Sequence, residues 1–420
     1  MSQHSGDGKA NQYYLRGFNL DHGTDFATFV DGIPANMPTH THGQGYTDLN
    51  WLIPTVVDRI NYRKGPYYYQ STSCAPSPLR NSGRIATFNF NFWSSSYRET
   101  VMSDRIFSLV IRGGTVIDGT GSDPVQADVG ICGDRIKQVG ANLPRGETEI
   151  DAKNLLVTPG FVDLHTHYDG QATWDDYLAP SSWHGVTTAV MSNCGVGFAP
   201  VHAHGRESLI KLMEGVEDIP GPVLHEGLDF NWESFSDYLT VLESRHRDID
   251  ICAQLPHAAL RLYVMGERAM RLEDATDSDI AAMRQLAKEA MLAGALGFST
   301  SRTLNHRTLA GDPIPTLRAT EAELTGIAMG LRDAGTGMLQ VVSDWDAPDL
   351  ETEFSMLRRV VEASGRPLLY TVNQRHDEHR NRWKELMAKG DQAAAEGLPI
   401  RPVFRRGSNA GNTLTAFQRE

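Results

Sequence analysis

The segment GFVDLHTHYDG (residues 160–170) sets His165 and His167 two positions apart directly after an apolar run. In an extended chain, side chains i and i+2 point to the same side. Both imidazoles then share one face of a strand end, where they can share one metal ion. Otherwise they are turn histidines satisfied by backbone groups. Residues 185–198, GVTTAVMSNCGVGF, end a second β-branched run on Asn193, Cys194 and Gly195. That places a thiol at a neighbouring strand end, either as a further metal ligand or as a small buried hydrophobe. His257 and Arg261 follow DIDICAQLPH (248–257). There they either orient a substrate carboxylate, for which guanidinium offers a planar fork, or pair structurally with a neighbouring helix.

Other candidates rank lower. His306 in STSRTLNHRT lies after the next strand and within possible reach of the same end. His40 and His42 in MPTHTHGQG repeat the i, i+2 spacing, but they sit between proline and glycines with no apolar strand, so they read as loop residues. His376 and His379 belong to a solvated helix start. Cys132 and Cys252 read as core, and Cys74 has no assigned role.

These residues need a scaffold of alternating strands and helices. AMLAGALGFST, LRDAGTGMLQVVS, VEASGRPLLYTV and AAEGLPIRPVF each end a helix on glycine (Gly294, Gly335, Gly365, Gly397) and enter a β-rich run. A glycine just past a helix supplies a left-handed cap, and a strand after each helix builds a parallel sheet. Thr320 and Glu323 form a capping box opening one helix. With the strands around residues 155–167, 185–193 and 248–257, about seven βα units result. No glycine-rich phosphate loop follows the first strand. The expectation is therefore an α/β fold, an incomplete (β/α)8 TIM-like barrel, with no eighth strand before residue 420. Upstream, FSLVIRGGTVIDGTG, ADVGICGDRIKQVG and TEIDAKNLLVTPG read as strands of a small sheet with Gly-Gly and Gly-Asp turns.

The first 100 residues carry eight Lys/Arg and seven Asp/Glu, the remaining 320 carry 31 and 45, and the first 70 hold seven of the 13 tyrosines. This shift separates two units. A net charge of −13 argues against nucleic-acid binding. No run approaches the length of a transmembrane helix, the N-terminus lacks a secretory pattern, and four dispersed cysteines form no disulfide framework. Residues 71–101, rich in Ser, Asn and Arg, have linker composition.

At VIRGGTVIDGTG, TPGFVDLHTHYD and GVTTAVMSNCGVGFAP the chain resembles the amidohydrolase superfamily, in its N-acyl-D-amino-acid deacylase (D-aminoacylase) branch. The resemblance implies a Zn2+ site formed by His165, His167 and Cys194, and a small-molecule N-acylated amino acid as substrate. It also implies histidines at the ends of strands five and six, where this sequence reads LQVVSD and LLYTVNQ. The catalytic Asp it implies on strand eight has no counterpart, so the catalytic acid/base is left unassigned and low activity is expected of a truncated chain. YLRGF, VDGIP, LNWLIP and VDRINYRKGP resemble the plug domain of TonB-dependent receptors. The expected organisation is a plug-like α+β fragment (1–70), a junction (71–101), a small β-domain (102–156), the barrel (157–402) and an aberrant tail (403–420), joined from two unrelated genes. The expected function is metal-dependent hydrolysis of linear amides in the cytoplasm, although a plug fragment would point to the outer membrane. The alternatives are a cyclic-amide hydrolase and a catalytically dead fusion.

Overall fold

A computed structural model describes residues 107–179, 181–217, 219–345, 350–373 and 381–405, with short strand segments ahead of residue 107. The chain divides into two compact units, one of residues 54–161 and 183–187, the other of residues 1–53, 162–182 and 188–420.

The first unit is built on β1 (Phe107–Val116), β2 (Val125–Cys132), β3 (Arg135–Gly140), β4 (Gly146–Asp151) and β5 (Leu156–Thr158). β1 pairs antiparallel with β2, and parallel with β4 and β5. The Gly133–Asp134 turn joins β2 to β3, with Cys132 opposite Arg135. Gly113 and Gly114 do not form the expected turn. They lie inside β1 at a register shift against β2, with Gly113 at φ +63° and its N–H donating to Asp128 Oδ1 at 2.8 Å. An extra residue in the left-handed region makes a bulge, which keeps the strand running. Ile111, Val116, Ala127, Val129, Ile131, Ala152 and Val157 form the core of this sheet.

A parallel sheet of seven strands, all but the first residues of its first two strands in the second unit, runs in sequence order: β6 (Phe161–Asp163), β7 (Val186–Met191), β8 (Asp250–Pro256), β9 (Gly297–Arg302), β10 (Met338–Ser343), β11 (Leu368–Asn373) and β12 (Ile400–Arg405). Helices α1 (Arg206–Glu217), α2 (Gly221–Gly227), α3 (Phe235–Glu243), α4 (His257–Met265), α5 (Glu267–Met270), α6 (Asp277–Leu292), α7 (Glu321–Ala334), α8 (Leu350–Ser364) and α9 (Arg382–Ala395) alternate with the later strands. Unbroken sequential order with intervening helices is the pattern of a partial TIM-like barrel. The four glycines expected to stop helices have φ of +112°, +75°, +65° and +84°, so each supplies the left-handed geometry that L-residues resist. Leu324, Leu339, Val341, Leu357, Val360 and Leu368 are buried between strands and helices. Among the described residues no helix is long and apolar enough to cross a membrane.

His40, His42, Cys74, His376 and His379 lie outside the described residues, as do the plug-like segment's side chains and most of the junction.

Candidate metal centre

β6 stops at Asp163, and the chain continues as an extended segment that still leans on β7. Thr166 donates both its N–H (2.9 Å) and its hydroxyl (2.8 Å) to the Val190 carbonyl. Anchoring Thr166 toward β7 leaves His165 and His167 on the same side, with ring centroids 5.3 Å apart. The next residues are fixed by a buried carboxylate: Asp169 accepts from the Ser192 N–H at 3.0 Å and from its hydroxyl, while Tyr238 donates to the Asp169 carbonyl at 2.8 Å. Burial pushes the Asp169 carboxyl up to about 6, and the Asp163 carboxyl likewise to about 6.

The thiol reaches this pair because β7 ends in a tight turn. Ser192, Cys194 and Gly195 have φ of +61°, +56° and +70°. Non-glycine residues pay about 1–2 kcal/mol for that region, so two in one turn persist only where their surroundings hold them. Asn193 donates to the Val190 carbonyl at 2.8 Å and accepts from Gln254 Nε2 at 2.8 Å. The Cys194 N–H donates to Gln340 Oε1 at 3.3 Å, and the Gly195 N–H to Ser299 Oγ at 3.1 Å. A Cβ on Gly195 would stand 3.0 Å from the backbone of Thr300 and Ser301. Gly195→Ala is therefore expected to destabilise the fold by at least about 1–2 kcal/mol, read as a lower urea midpoint. An unchanged midpoint would show that the turn tolerates a side chain.

The outcome is a compact donor set. Ligand atoms of His165, His167 and buried Cys194 all lie within 4.8 Å of one another, and His165 Nε2 is 3.1 Å from Cys194 Sγ. Zinc bonds of about 2.0–2.1 Å to nitrogen and 2.3 Å to sulfur at tetrahedral angles set neighbouring ligands about 3.6 Å apart. Two imidazoles and a thiolate thus fit zinc in both size and softness. His167 Nε2 also lies 3.2 Å from Glu217 Oε1, at the end of α1.

His257 and Arg261 sit elsewhere, and their geometry does not suit a substrate carboxylate. Both are fully buried in α4. His257 Nε2 and Arg261 Nε donate to Glu323 Oε1 at 2.9 and 2.7 Å, while the remaining guanidinium nitrogens donate to the Pro315 and Glu273 carbonyls at 2.8 and 2.6 Å. The fork is spent on holding α4 to α7 and the preceding loop. Glu323 shows why this was hard to foresee. Its N–H donates to Thr320 Oγ1 at 3.3 Å, but its carboxylate turns inward, so only half of the capping box forms. His306 is half-buried, with Nδ1 2.8 Å from Ser301 Oγ, and lies outside the donor cluster. Ser343, which ends the fifth strand, donates to Glu353 at 2.8 Å, and within the fifth and sixth strands Gln340 Nε2 donates to Thr371 Oγ1 at 3.2 Å. Gln340 was not singled out from sequence, because a lone glutamine in a strand has no spacing signature.

Comparison with known proteins shows the family. Residues 148–418 match the Amidohydrolase family, and residues 1–76 match the TonB-dependent Receptor Plug Domain. The D-aminoacylase of Alcaligenes xylosoxydans xylosoxydans is 38% identical over 195 residues, covering 46% of this chain and 37% of the relative. The N-acyl-D-aspartate deacylase of the same organism is 35% identical over 193 residues, covering 46% and 36%. A solved D-aminoacylase, studied for one-metal activation and second-metal attenuation of its binuclear metal centre, superposes with a TM-score of 0.58 at 29% identity, covering 70% of this chain and 58% of that one. The chain thus spans less than two fifths of the length of those two relatives.

Proposed function

Because this chain belongs to the amidohydrolase family, we propose that it is a metal-dependent hydrolase of linear amide C–N bonds, acting on N-acyl-D-amino acids. The carrying observation is the convergence of His165, His167 and Cys194 at the ends of two adjacent strands. Three protein donors leave a position for water or substrate, as in catalytic zinc sites. Zn2+ held there supplies a Lewis acid for the amide carbonyl and lowers the pKa of water. The chain's own residues prepare the place: Thr166 and Asp169 fix the segment carrying the histidines, while Gln340 and Ser299 hold the turn that presents the thiol. The relatives' names support an acyl-D-amino-acid substrate. Cytoplasmic placement suits a site that needs a reduced thiol at Cys194. The plug-like residues play no part in this reading.

The test is metal content. Purified chain is expected to hold zinc, and His165→Ala with His167→Ala to lose it by elemental analysis, whereas His40→Ala with His42→Ala leaves the stoichiometry unchanged. Equal zinc in the first pair and the parent would end the metal reading. Release of free amino acid from N-acetyl-D-methionine, absent after chelation and restored by zinc, tests the substrate class.

A further inference from the structure

We infer that Thr371, on β11, is a positioning residue for the metal donor Cys194 and acts through the side-chain amide of Gln340. This rests on the metal reading above. The Cys194 N–H can only donate, so its bond of 3.3 Å to Gln340 takes the oxygen end of the amide, Oε1. The two ends of an amide have nearly the same shape, and only one of them suits this N–H. Thr371 selects it. Gln340 Nε2 donates to Thr371 Oγ1 at 3.2 Å, which directs Oε1 toward Cys194. Gln340 and Thr371 are only 4% and 3% exposed. Without the hydroxyl, the amide nitrogen would therefore be a buried donor with its desolvation cost unmet. Turned about, the amide would set Nε2 against the Cys194 N–H, donor against donor, and release the turn on that side.

Three consecutive strands grip the turn, one residue each. β8 holds Asn193 through Gln254, β9 holds Gly195 through Ser299, and β10 holds Cys194 through Gln340. Barrel interiors are ordinarily filled by branched apolar side chains, and a buried polar group costs stability unless it is bonded. The grip on the donor residue itself extends to a fourth strand through Thr371. The position of Thr371 is itself built. Trp345 Nε1 donates to its carbonyl at 2.6 Å, and it pairs in register with Val403 of β12. Trp345 is buried and stands edge-on to Tyr370, with ring centroids 5.6 Å apart. The hydroxyl is thus presented from a fixed backbone, and the orientation of the thiol's turn is read off a strand that contributes no donor to the cluster.

Zinc affinity of the full chain, by competition with a chromophoric chelator, tests this, with circular dichroism as a check on folding. Cobalt in place of zinc adds a thiolate-to-metal absorption band, which reports how the sulfur meets the ion and which a general loss of stability does not move. Gln340→Met, nearly isosteric and unable to make either bond, is expected to weaken zinc about 10–100-fold and to alter the band. Thr371→Val should fall between that variant and the parent, and Thr371→Ser should bind as the parent does. In the Gln340→Met background Thr371→Val should cost nothing further, because the relay is already cut. Ser364→Ala removes a buried hydroxyl on α8 that donates to the Val360 carbonyl, and it should keep parent affinity even at a lower melting temperature. Parent-like affinity and band in a folded Thr371→Val would overturn the inference, as would equal fold losses from that substitution in both backgrounds. Should Thr371→Val not fold, parent-like affinity in Gln340→Met would overturn it equally. A parent chain that binds no zinc would instead overturn the metal reading, and this assignment with it.

Discussion

Glu323→Ala is expected to cost the fold about 3–5 kcal/mol, because it strands a fully buried Arg261 without its counter-charge. Against a typical domain stability of about 5–15 kcal/mol, that is a large share from a position outside the candidate donor group. Urea denaturation checks it. A loss below about 1 kcal/mol, the worth of an exposed pair, would show the trio to be solvated. Acid should act in the same direction. Burial pushes His257 down, a shift that Glu323 only partly opposes. Burial alone would raise the Glu323 carboxyl, but His257 and Arg261 outweigh it and hold it below the usual carboxylate range. Both groups thus bind fewer protons when folded, and stability rises with pH. The contribution is complete above the ordinary histidine value of about 6.5. It is lost as pH falls through the folded values of His257 and then Glu323. In the Glu323→Ala variant the carboxylate part of this dependence should vanish.

Cys194→Ser should produce the larger functional effect. Serine keeps the size and the left-handed backbone of Cys194, so the turn and its bonds to Gln340 and Ser299 should survive. What disappears is the thiolate, the softest donor of the three. Outer partners of a metal ligand are worth about 10–100-fold in affinity, and losing a ligand should exceed that, so zinc competition should show a drop of more than about 100-fold. Amide hydrolysis should fall in parallel at sub-saturating zinc. Retention of parent affinity in Cys194→Ser would mean that Cys194 is packing alone.

Much of this was legible in the chain because local rules govern it. The i, i+2 histidines, the cysteine ending a β-branched run and the helix-stopping glycines each depend on a few adjacent residues. Their geometry follows from strand and helix periodicity. Gly113 and Gly114 show the limit of that reasoning: a glycine pair serves a turn or a bulge equally well, and the partner strand decides. Glu323 and Glu217 show another. Glu323 reads as the capping partner of Thr320 and Glu217 as an ordinary helix-end charge, yet each side chain meets a partner distant in sequence, Arg261 62 residues away and His167 50 residues away. Composition at a helix end does not say which side of the chain will be packed against it.

The turn that presents Cys194 has a consequence for the order of events at the ribosome. The three proposed metal donors, His165, His167 and Cys194, are translated within 30 residues of one another. The bonds that hold the cysteine's turn come later, from Ser299, 104 residues beyond Gly195, and from Gln340, 146 residues beyond Cys194. At about 5–20 residues per second, Gln340 follows Cys194 by roughly 7–30 s. For that interval the thiol lacks the contacts that restrain its turn, so an ion held by these three residues would serve as a template for the turn before the later strands arrive.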